Sequence, residues 1–137
     1  MSTRSRIVIQ IEENVYRSVY CHFDGYVDGV GHTLLEHYRD VEKVKSLIEL
    51  GGISVLGKDI DCPEGHDFEN QVVGKTVFYC RDRGEELRVK EDSSVEELVK
   101  SCKDSGGEFL YIYGLDGKWM YMDMYGYSDK KLKVLEM

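Results

Sequence analysis

Residues 7–23 alternate between apolar and polar positions, as the strands of a β-hairpin do. Ile7, Ile9 and Ile11 occupy every second position, and a polar break at residues 12–14 separates them from a second run that is rich in Val and Tyr. Alternation places every second side chain on one face of a strand. Two such runs joined by a short polar break predict an antiparallel hairpin.

A helical period replaces this alternation from His32 onward. Apolar residues then recur at intervals of three and four, the stripe of an amphipathic helix, and they are Leu34, Leu35, Tyr38, Val41, Val44, Leu47, Ile48 and Leu50. Asp40 is a suitable N-cap for a second helix, and the glycine pair after Leu50 is a suitable stop. The pattern predicts short helices at about 32–38 and 41–50, after a turn-rich loop at residues 25–31.

The middle of the chain has a weaker pattern. Residues 53–73 contain the single proline and predict an irregular loop. Residues 76–80 read Thr-Val-Phe-Tyr-Cys, a composition typical of a third strand. Leu87 and Val89, with charged residues between them, are candidates for an edge strand.

The last part of the chain predicts one more helix and a second hairpin. Ser93 and Ser94 each stand three residues before a glutamate, which is the spacing of a capping box, and they start a helix through Cys102. Residues 109–113 and 118–124 lie on either side of an Asp-Gly turn, the strongest short-range signal for a hairpin.

Together these elements predict an α+β fold. Five strands and three helices, mostly joined as hairpins, indicate an antiparallel sheet of about five strands built from N- and C-terminal hairpins, with about three helices packed on it. The length of 137 residues and a hydrophobic content of 42% fit one packed domain over residues 1–137.

Charge and composition narrow the classes of function. The chain has 18 basic and 26 acidic residues and a net charge of −8, so generic nucleic-acid binding is not expected. Its apolar runs are far shorter than the roughly 20 residues of a membrane helix. The cysteines form no C-x-x-C pair and no secretory leader is visible, which predicts reduced thiols and a cytoplasmic location without a structural zinc or another cofactor.

The segment from His22 to Tyr26 is the first candidate site, because a predicted strand there runs into a glycine-rich loop. On a strand His22 and Asp24 share a face, and the carboxylate would hold one imidazole tautomer, as a general base requires. The alternative is a structural role in which Asp24 stabilises the turn. Tyr20 and Tyr26 are candidates for stacking on a base.

Two pairs of arginines form the second candidate. Arg81 and Arg83 share a face at the end of the predicted third strand, and Arg4 and Arg6 do so beside the first strand. Two guanidinium groups on one face suit the binding of phosphate or carboxylate. If the strands that carry the two pairs are neighbours, the four arginines would form one cationic pocket in an acidic protein. The alternative is a solvated turn in which the later pair bonds to Asp82 and nearby glutamates.

A third group is His66 with Asp67. Together with His22 and Asp24 these are residue types that bind zinc or manganese, but their spacing matches no metal motif, and neither a metal site nor a catalytic residue is assigned. The candidate ligand-binding residues are Arg4, Arg6, Tyr20, His22, Asp24, Tyr26, His66, Arg81, Asp82 and Arg83.

Several motifs resemble those of a family of small phage and prophage proteins. They are Thr3-Arg4-Ser5-Arg6-Ile7, Tyr20-Cys21-His22-Phe23-Asp24-Gly25-Tyr26, Leu34-Leu35-Glu36-His37-Tyr38, His66-Asp67-Phe68 and Tyr79-Cys80-Arg81-Asp82-Arg83-Gly84-Glu85. The resemblance covers about residues 3–86 and implies a phage accessory protein in the cytoplasm of a bacterial host. Such proteins often counter host immunity, by blocking a defence protein or by sequestering a nucleotide-derived signal.

The leading hypothesis is therefore a counter-defence protein that binds and sequesters a small phosphorylated, nucleotide-derived ligand, as a homo-oligomer. Arginines would contact its phosphate, and His22 with Asp24 would contact ribose hydroxyls. Two alternatives stay open. One is a hydrolase of phosphoester or glycosidic bonds with His22 as base and Asp24 as its orienting group. The other is an inhibitor whose acidic surface mimics nucleic acid and binds a host defence protein.

Overall fold

A central mixed β-sheet carries the structure, a computed structural model that describes residues 2–124 and 132–136. Its strands are β1 (Ser5–Glu12), β2 (Val15–Cys21), β3 (Ile53–Val55), β4 (Val77–Phe78), β5 (Lys90–Asp92), β6 (Phe109–Tyr113), β7 (Trp119–Asp123) and β8 (Lys133–Val134). The order across the sheet is β4-β3-β2-β1-β6-β7-β8, and β5 also pairs with β2. The β1–β6 and β2–β3 pairings are parallel, and the other pairings are antiparallel.

Helices cover both faces of this sheet. They are α1 (His32–His37), α2 (Val41–Glu49), α3 (Tyr79–Arg83) and α4 (Val95–Asp104), and a π-helical turn at Val27–Gly31 leads into α1. The helices α1 and α2 connect β2 to the parallel strand β3, and α4 connects β5 to the parallel strand β6. A parallel connection needs such a crossover over a face of the sheet.

The two hydrophobic cores follow from the side-chain alternation of the central strands. Ile7 and Ile9 pack with Leu34 and Leu47 on the α1–α2 face. Val8 packs in the second core, on the α4 face, with residues that include Leu98, Cys102, Leu110 and Met122. Since residues 5–9 of β1 are buried on both faces, the strand has three consecutive apolar residues at 7–9 instead of a strict alternation.

The α+β class is confirmed, but the strand arrangement and the counts differ from the prediction. The described residues form eight strands and four helices, in a sheet that is mixed rather than antiparallel. Both hairpins form as predicted, between β1 and β2 and between β6 and β7. The crossover through α4 makes β6 parallel to β1, which neither hairpin specifies by itself.

The predicted boundaries of strands and loops were least accurate in the middle of the chain, where the hydrophobic pattern is weak. The loop predicted over residues 53–73 contains β3, and the strand predicted over 76–80 is limited to Val77–Phe78 because Tyr79 begins α3. The edge strand predicted at Leu87 and Val89 does not form there, and the strand lies three residues further along, at Lys90–Asp92. Strands of two or three residues are too short for an alternating pattern to define them.

The predicted helix caps are present. The Asp40 carboxylate accepts a hydrogen bond from the Glu42 N–H at 3.2 Å and begins α2. The Ser94 hydroxyl accepts from the Glu97 N–H at 3.2 Å, and the Glu97 carboxylate accepts from the Ser93 N–H at 3.0 Å. Local signals of this kind place a helix start without help from the rest of the fold.

We expect Ser94→Ala to lower the free energy of unfolding by about 1 kcal/mol, because one N–H of the first turn of α4 loses its acceptor. Urea denaturation followed by far-ultraviolet circular dichroism measures this change. Lys100→Ala, at an exposed position of the same helix, is the matched control and should change stability by less than about 0.5 kcal/mol. Equal effects of the two substitutions would show that the cap is not what stabilises α4.

No helix within residues 2–124 and 132–136 has the length and hydrophobicity needed to cross a lipid bilayer.

Candidate functional site

A cavity lies where the sheet splits at the outer edge of β2. Along this edge Tyr16, Arg17 and Ser18 pair with β5, whereas Cys21 pairs with β3. The two neighbours of β2 therefore diverge beside Tyr20, and a crevice at such a change of strand partner is a common ligand site. We call it the sheet-split cavity. It has a volume of about 690 Å³ and is lined by Arg6, Tyr20, Gly52, Tyr79, Glu85, Glu86, Leu87, Arg88, Val89, Lys90 and Ser105.

Arg6 is the most unusual residue of this cavity. It lies on β1 opposite Tyr20 and is only 8% exposed. Its Nε donates to the Ser18 hydroxyl at 2.8 Å, and its Nη2 makes a long 3.5 Å bond to the Ser18 carbonyl. No carboxylate within the described residues comes within 4 Å of its guanidinium, so a nearly buried positive charge has no ion-pair partner in the part of the protein that the structure describes.

The electrostatics of Arg6 agree with this geometry. Burial lowers the pKa of the guanidinium, and Cys102 and Asp92 act in the opposite direction from beyond ion-pair distance. The Asp92 carboxylate is itself buried and accepts from the Ser101 hydroxyl at 3.1 Å. A charge that has lost most of its hydration without a close counter-ion is costly, and a bound anion would offset that cost.

Tyr20 forms a side wall of the cavity and is held by His22. The Tyr20 hydroxyl and His22 Nδ1 are 2.6 Å apart. Partial burial and the positive charge of Arg4 lower the pKa of His22, which favours a neutral imidazole. We therefore assign the hydroxyl as donor to Nδ1, and the Nε2–H of His22 stays available to a ligand.

Arg4 does not line the cavity but lies near it. A Cβ on Gly106 would come within 2.7 Å of Arg4 Nη1, so the guanidinium rests on that glycine, next to Ser105 of the cavity wall. Its charge acts on the pKa of both Tyr20 and His22. Arg4 is exposed and, like Arg6, has no carboxylate within 4 Å among residues 2–124 and 132–136.

Six further polar or aromatic residues of the cavity were not predicted as site residues, namely Tyr79, Glu85, Glu86, Arg88, Lys90 and Ser105. Arg88 lies in the exposed segment before β5, and Lys90 is the first residue of β5. Arg88 forms only a weak, solvent-exposed ion pair with Glu86, in which Nη2 and Oε2 are 3.9 Å apart. The alternation of residues 87–90 was a signal for an edge strand, but it contained no information on the cavity that this segment covers.

Arg81, Asp82 and His66 form a separate cluster with a structural role. The Arg81 guanidinium donates to the Asp82 carboxylate from Nε at 2.8 Å and from Nη2 at 3.0 Å. It also donates to the carbonyls of Ile60 and Thr76. Asp82 accepts in addition from the Phe78 N–H at 2.8 Å and lies 3.6 Å from His66 Nε2. These bonds use the donors of Arg81 within the protein, so the cluster fastens the loop of residues 56–75 to α3.

The remaining predicted residues lie apart from the cavity. Arg83 is exposed, stacks over the Phe68 ring at 4.7 Å and pairs with Glu85 at 3.4 Å. Asp24 accepts from the Tyr26 hydroxyl at 3.2 Å rather than contacting His22. The predicted shared face of His22 and Asp24 is wrong because β2 ends at Cys21, and Asp24 adopts a left-handed conformation with φ of 57°.

The shared face of Arg81 and Arg83 is also wrong, because both lie in the helical turn α3 instead of a strand. Of the ten predicted site residues, two line the sheet-split cavity, Arg6 and Tyr20, and two lie near them outside its lining, Arg4 and His22. The side chains that it describes contain no cluster of three or more potential metal ligands.

Comparison of the chain with family models, curated protein sequences and solved structures gives no significant match in any of the three.

Proposed function

We propose that the sheet-split cavity binds a small phosphorylated ligand of the nucleotide type and holds it without cleaving it. The observation that carries the proposal is Arg6, a nearly buried guanidinium without an ion-pair partner among the described residues, at a cavity of about 690 Å³. This volume is ample for a nucleotide. Phosphate is one of the two anions, with carboxylate, whose geometry matches the guanidinium group.

The aromatic residues of the cavity support a ligand with a planar ring. Tyr20 and Tyr79 both line it, and the hydrogen bond from Tyr20 to His22 keeps the first ring in place. Stacking on an aromatic side chain is a general way to bind a nucleobase, because every base has a π-face. Lys90 and Arg88 would add positive charge on the opposite side, partly balanced by Glu85 and Glu86.

The state of His22 favours binding over hydrolysis. A general base of the predicted kind needs a carboxylate to orient its ring, but Asp24 is bonded to Tyr26 and the partner of His22 is the Tyr20 hydroxyl. In the wider proposal, which rests on the resemblance of residues 3–86, the protein sequesters a nucleotide-derived immune signal for a phage, as a homo-oligomer in the bacterial cytoplasm.

Isothermal titration calorimetry with the four 5′-nucleoside monophosphates and the matching nucleosides tests this proposal. We expect at least one monophosphate to bind, and its nucleoside to bind at least about tenfold more weakly, since the phosphate contact to Arg6 is worth about 1.5–3 kcal/mol. Binding should weaken as salt rises. Equal affinities for nucleotide and nucleoside, or binding of none of the four, would contradict the proposal.

Native mass spectrometry of the same samples separates sequestration from turnover. The ligand should be recovered at its original mass after the protein is denatured, and the spectrum also reports the number of subunits. Recovery of a dephosphorylated or otherwise cleaved product would instead favour a hydrolase.

A further inference from the structure

The charged residues of the sheet-split cavity lie at two depths. Arg6 is nearly buried, at 8% exposure, and is fixed by its bond to Ser18. The other charged residues of the described lining belong to residues 85–90, which we call the exposed wall, and they are Glu85, Glu86, Arg88 and Lys90. A ligand therefore meets one desolvated positive charge and, apart from it, only charges that remain in contact with water.

The charges of the exposed wall cancel, because it contributes two carboxylates and two cations to the cavity. Glu86 Oε2 lies 3.9 Å from Arg88 Nη2, and Glu85 Oε2 lies 3.4 Å from Arg83 Nε. Surface pairs of this kind are weak, but each places a negative charge next to an arginine. The described lining as a whole is left with a single positive formal charge, that of Arg6.

We propose that the cavity selects a ligand with a single phosphate group, a nucleoside monophosphate, and that Glu85 and Glu86 disfavour nucleoside diphosphates and triphosphates. This inference rests on the proposed function and names its ligand class. Arg6 binds the one phosphate, because a charge-assisted hydrogen bond is strongest where water is excluded. Each further phosphate adds negative charge, and the described lining holds no second buried cation to receive it. Such a phosphate would lie against the exposed wall, where carboxylates are as numerous as cations.

Charge rather than size produces this selectivity. A cavity of about 690 Å³ has room for a nucleoside triphosphate as well as for a monophosphate. Repulsive groups placed against the wrong ligand are a common source of specificity, and the two carboxylates of the exposed wall are such groups. The net charge of −8 of the whole chain also repels a more highly charged anion. Experiment can separate the two contributions, because only the first is local.

Titration calorimetry with the mono-, di- and triphosphates of the four ribonucleosides, in buffer without divalent cations, tests the inference. For the base that binds best, we expect the monophosphate to bind about tenfold more tightly than the triphosphate, with the diphosphate between them. The double variant Glu85→Gln/Glu86→Gln removes both carboxylates from the exposed wall and frees their arginine partners. It should raise the affinity for the triphosphate by at least about fivefold and that for the monophosphate by less than about twofold.

Glu12→Gln/Glu13→Gln is the matched control, since it changes the net charge by the same amount. These two adjacent glutamates are exposed where β1 turns into β2, and they lie outside the described lining of the cavity. The control should change every affinity by less than about twofold. Both double variants should remain folded, because their substitutions are at exposed positions.

A triphosphate that binds as tightly as its monophosphate would overturn the inference and leave the proposed function intact. So would a gain of triphosphate affinity that is no larger in Glu85→Gln/Glu86→Gln than in the control. Failure of every nucleotide to bind would instead count against both the inference and the proposed function.

Discussion

Replacing Arg6 by Gln is expected to weaken AMP binding about 50-fold, because a desolvated, charge-assisted contact to phosphate is worth about 2–3 kcal/mol. Arg6 is the deepest cation of the sheet-split cavity and is 8% exposed. An exposed arginine would contribute far less, since water already solvates its charge and screens its attraction. Calorimetry with AMP on the wild type and the variant measures the change.

The same substitution should have little effect on the stability of the free protein. Gln loses the charge but still offers an amide donor to the Ser18 hydroxyl, which accepts from Arg6 Nε at 2.8 Å. Removal of an unpaired buried charge relieves a desolvation cost, so we expect the free energy of unfolding to change by less than about 1 kcal/mol. Unfolding in urea provides this measurement. Arg39→Gln, at an exposed arginine in the turn after α1, is the control for both quantities.

A combination of the two measurements distinguishes a ligand contact from a structural role. A loss of binding with unchanged stability supports the assignment of Arg6. A stability loss of several kcal/mol with unchanged AMP affinity would mean that Arg6 is a structural residue of the β1–β2 hairpin, and the proposed phosphate site would be wrong.

The second large effect is expected at Asp82. Asp82→Ala should lower the free energy of unfolding by about 3 kcal/mol, because it leaves the Arg81 guanidinium and the Phe78 N–H without their acceptor in a buried place. The Asp82 side chain is 1% exposed and accepts three hydrogen bonds from these two residues. Glu64→Ala, at an exposed position of the adjacent loop, is the matched control and should have little effect.

The contribution of Asp82 should depend on pH with a defined sign. Burial by itself would raise the pKa of this carboxyl, but the hydrogen bonds from Arg81 and the Phe78 N–H, with the Arg81 charge, outweigh it and lower the pKa below its ordinary value. A carboxyl with a depressed pKa in the folded state stabilises the protein above its unfolded pKa, and this contribution is lost as pH falls through the folded pKa.

The stability difference between wild type and Asp82→Ala should therefore be constant above about pH 5 and shrink as the pH falls below about 4. Urea denaturation at a series of pH values measures it. A difference that grows toward low pH would contradict the assignment of Asp82 as an ionised acceptor in the folded protein.

Sequence patterns predicted the local elements of this fold well. The hairpins at β1–β2 and β6–β7 formed, and α2 and α4 begin at Asp40 and Ser94 as expected. Each of these signals acts within a few residues: an alternation of side chains, a turn dipeptide, or a hydroxyl that accepts from the first turn of a helix. Such interactions do not depend on which strand lies next to which.

The candidate site was predicted only in part, because these signals describe only contacts between residues that are close in the sequence. Arg6 and Tyr20 face each other across the β1–β2 hairpin, a local feature that the alternation already contained, and Arg4 and His22 directly precede β1 and follow β2. Arg81 was assigned to phosphate because residues 76–80 resembled a strand. The chain turns into α3 at Tyr79, and the guanidinium is directed to Asp82 and to carbonyls of the preceding loop.

The amino-acid sequence by itself determined the two hairpins and the capped helices, since these follow from short-range periodicity and hydrogen bonding. Only the tertiary structure decided that β6 lies parallel to β1, that β3 and β5 diverge along β2, and that Tyr79, Arg88 and Lys90 surround the resulting cavity. Those outcomes depend on how the crossovers through α1, α2 and α4 bury both faces of β1. The free energy of this burial is shared among residues that are distant in the sequence, so no single segment contains a pattern that predicts it.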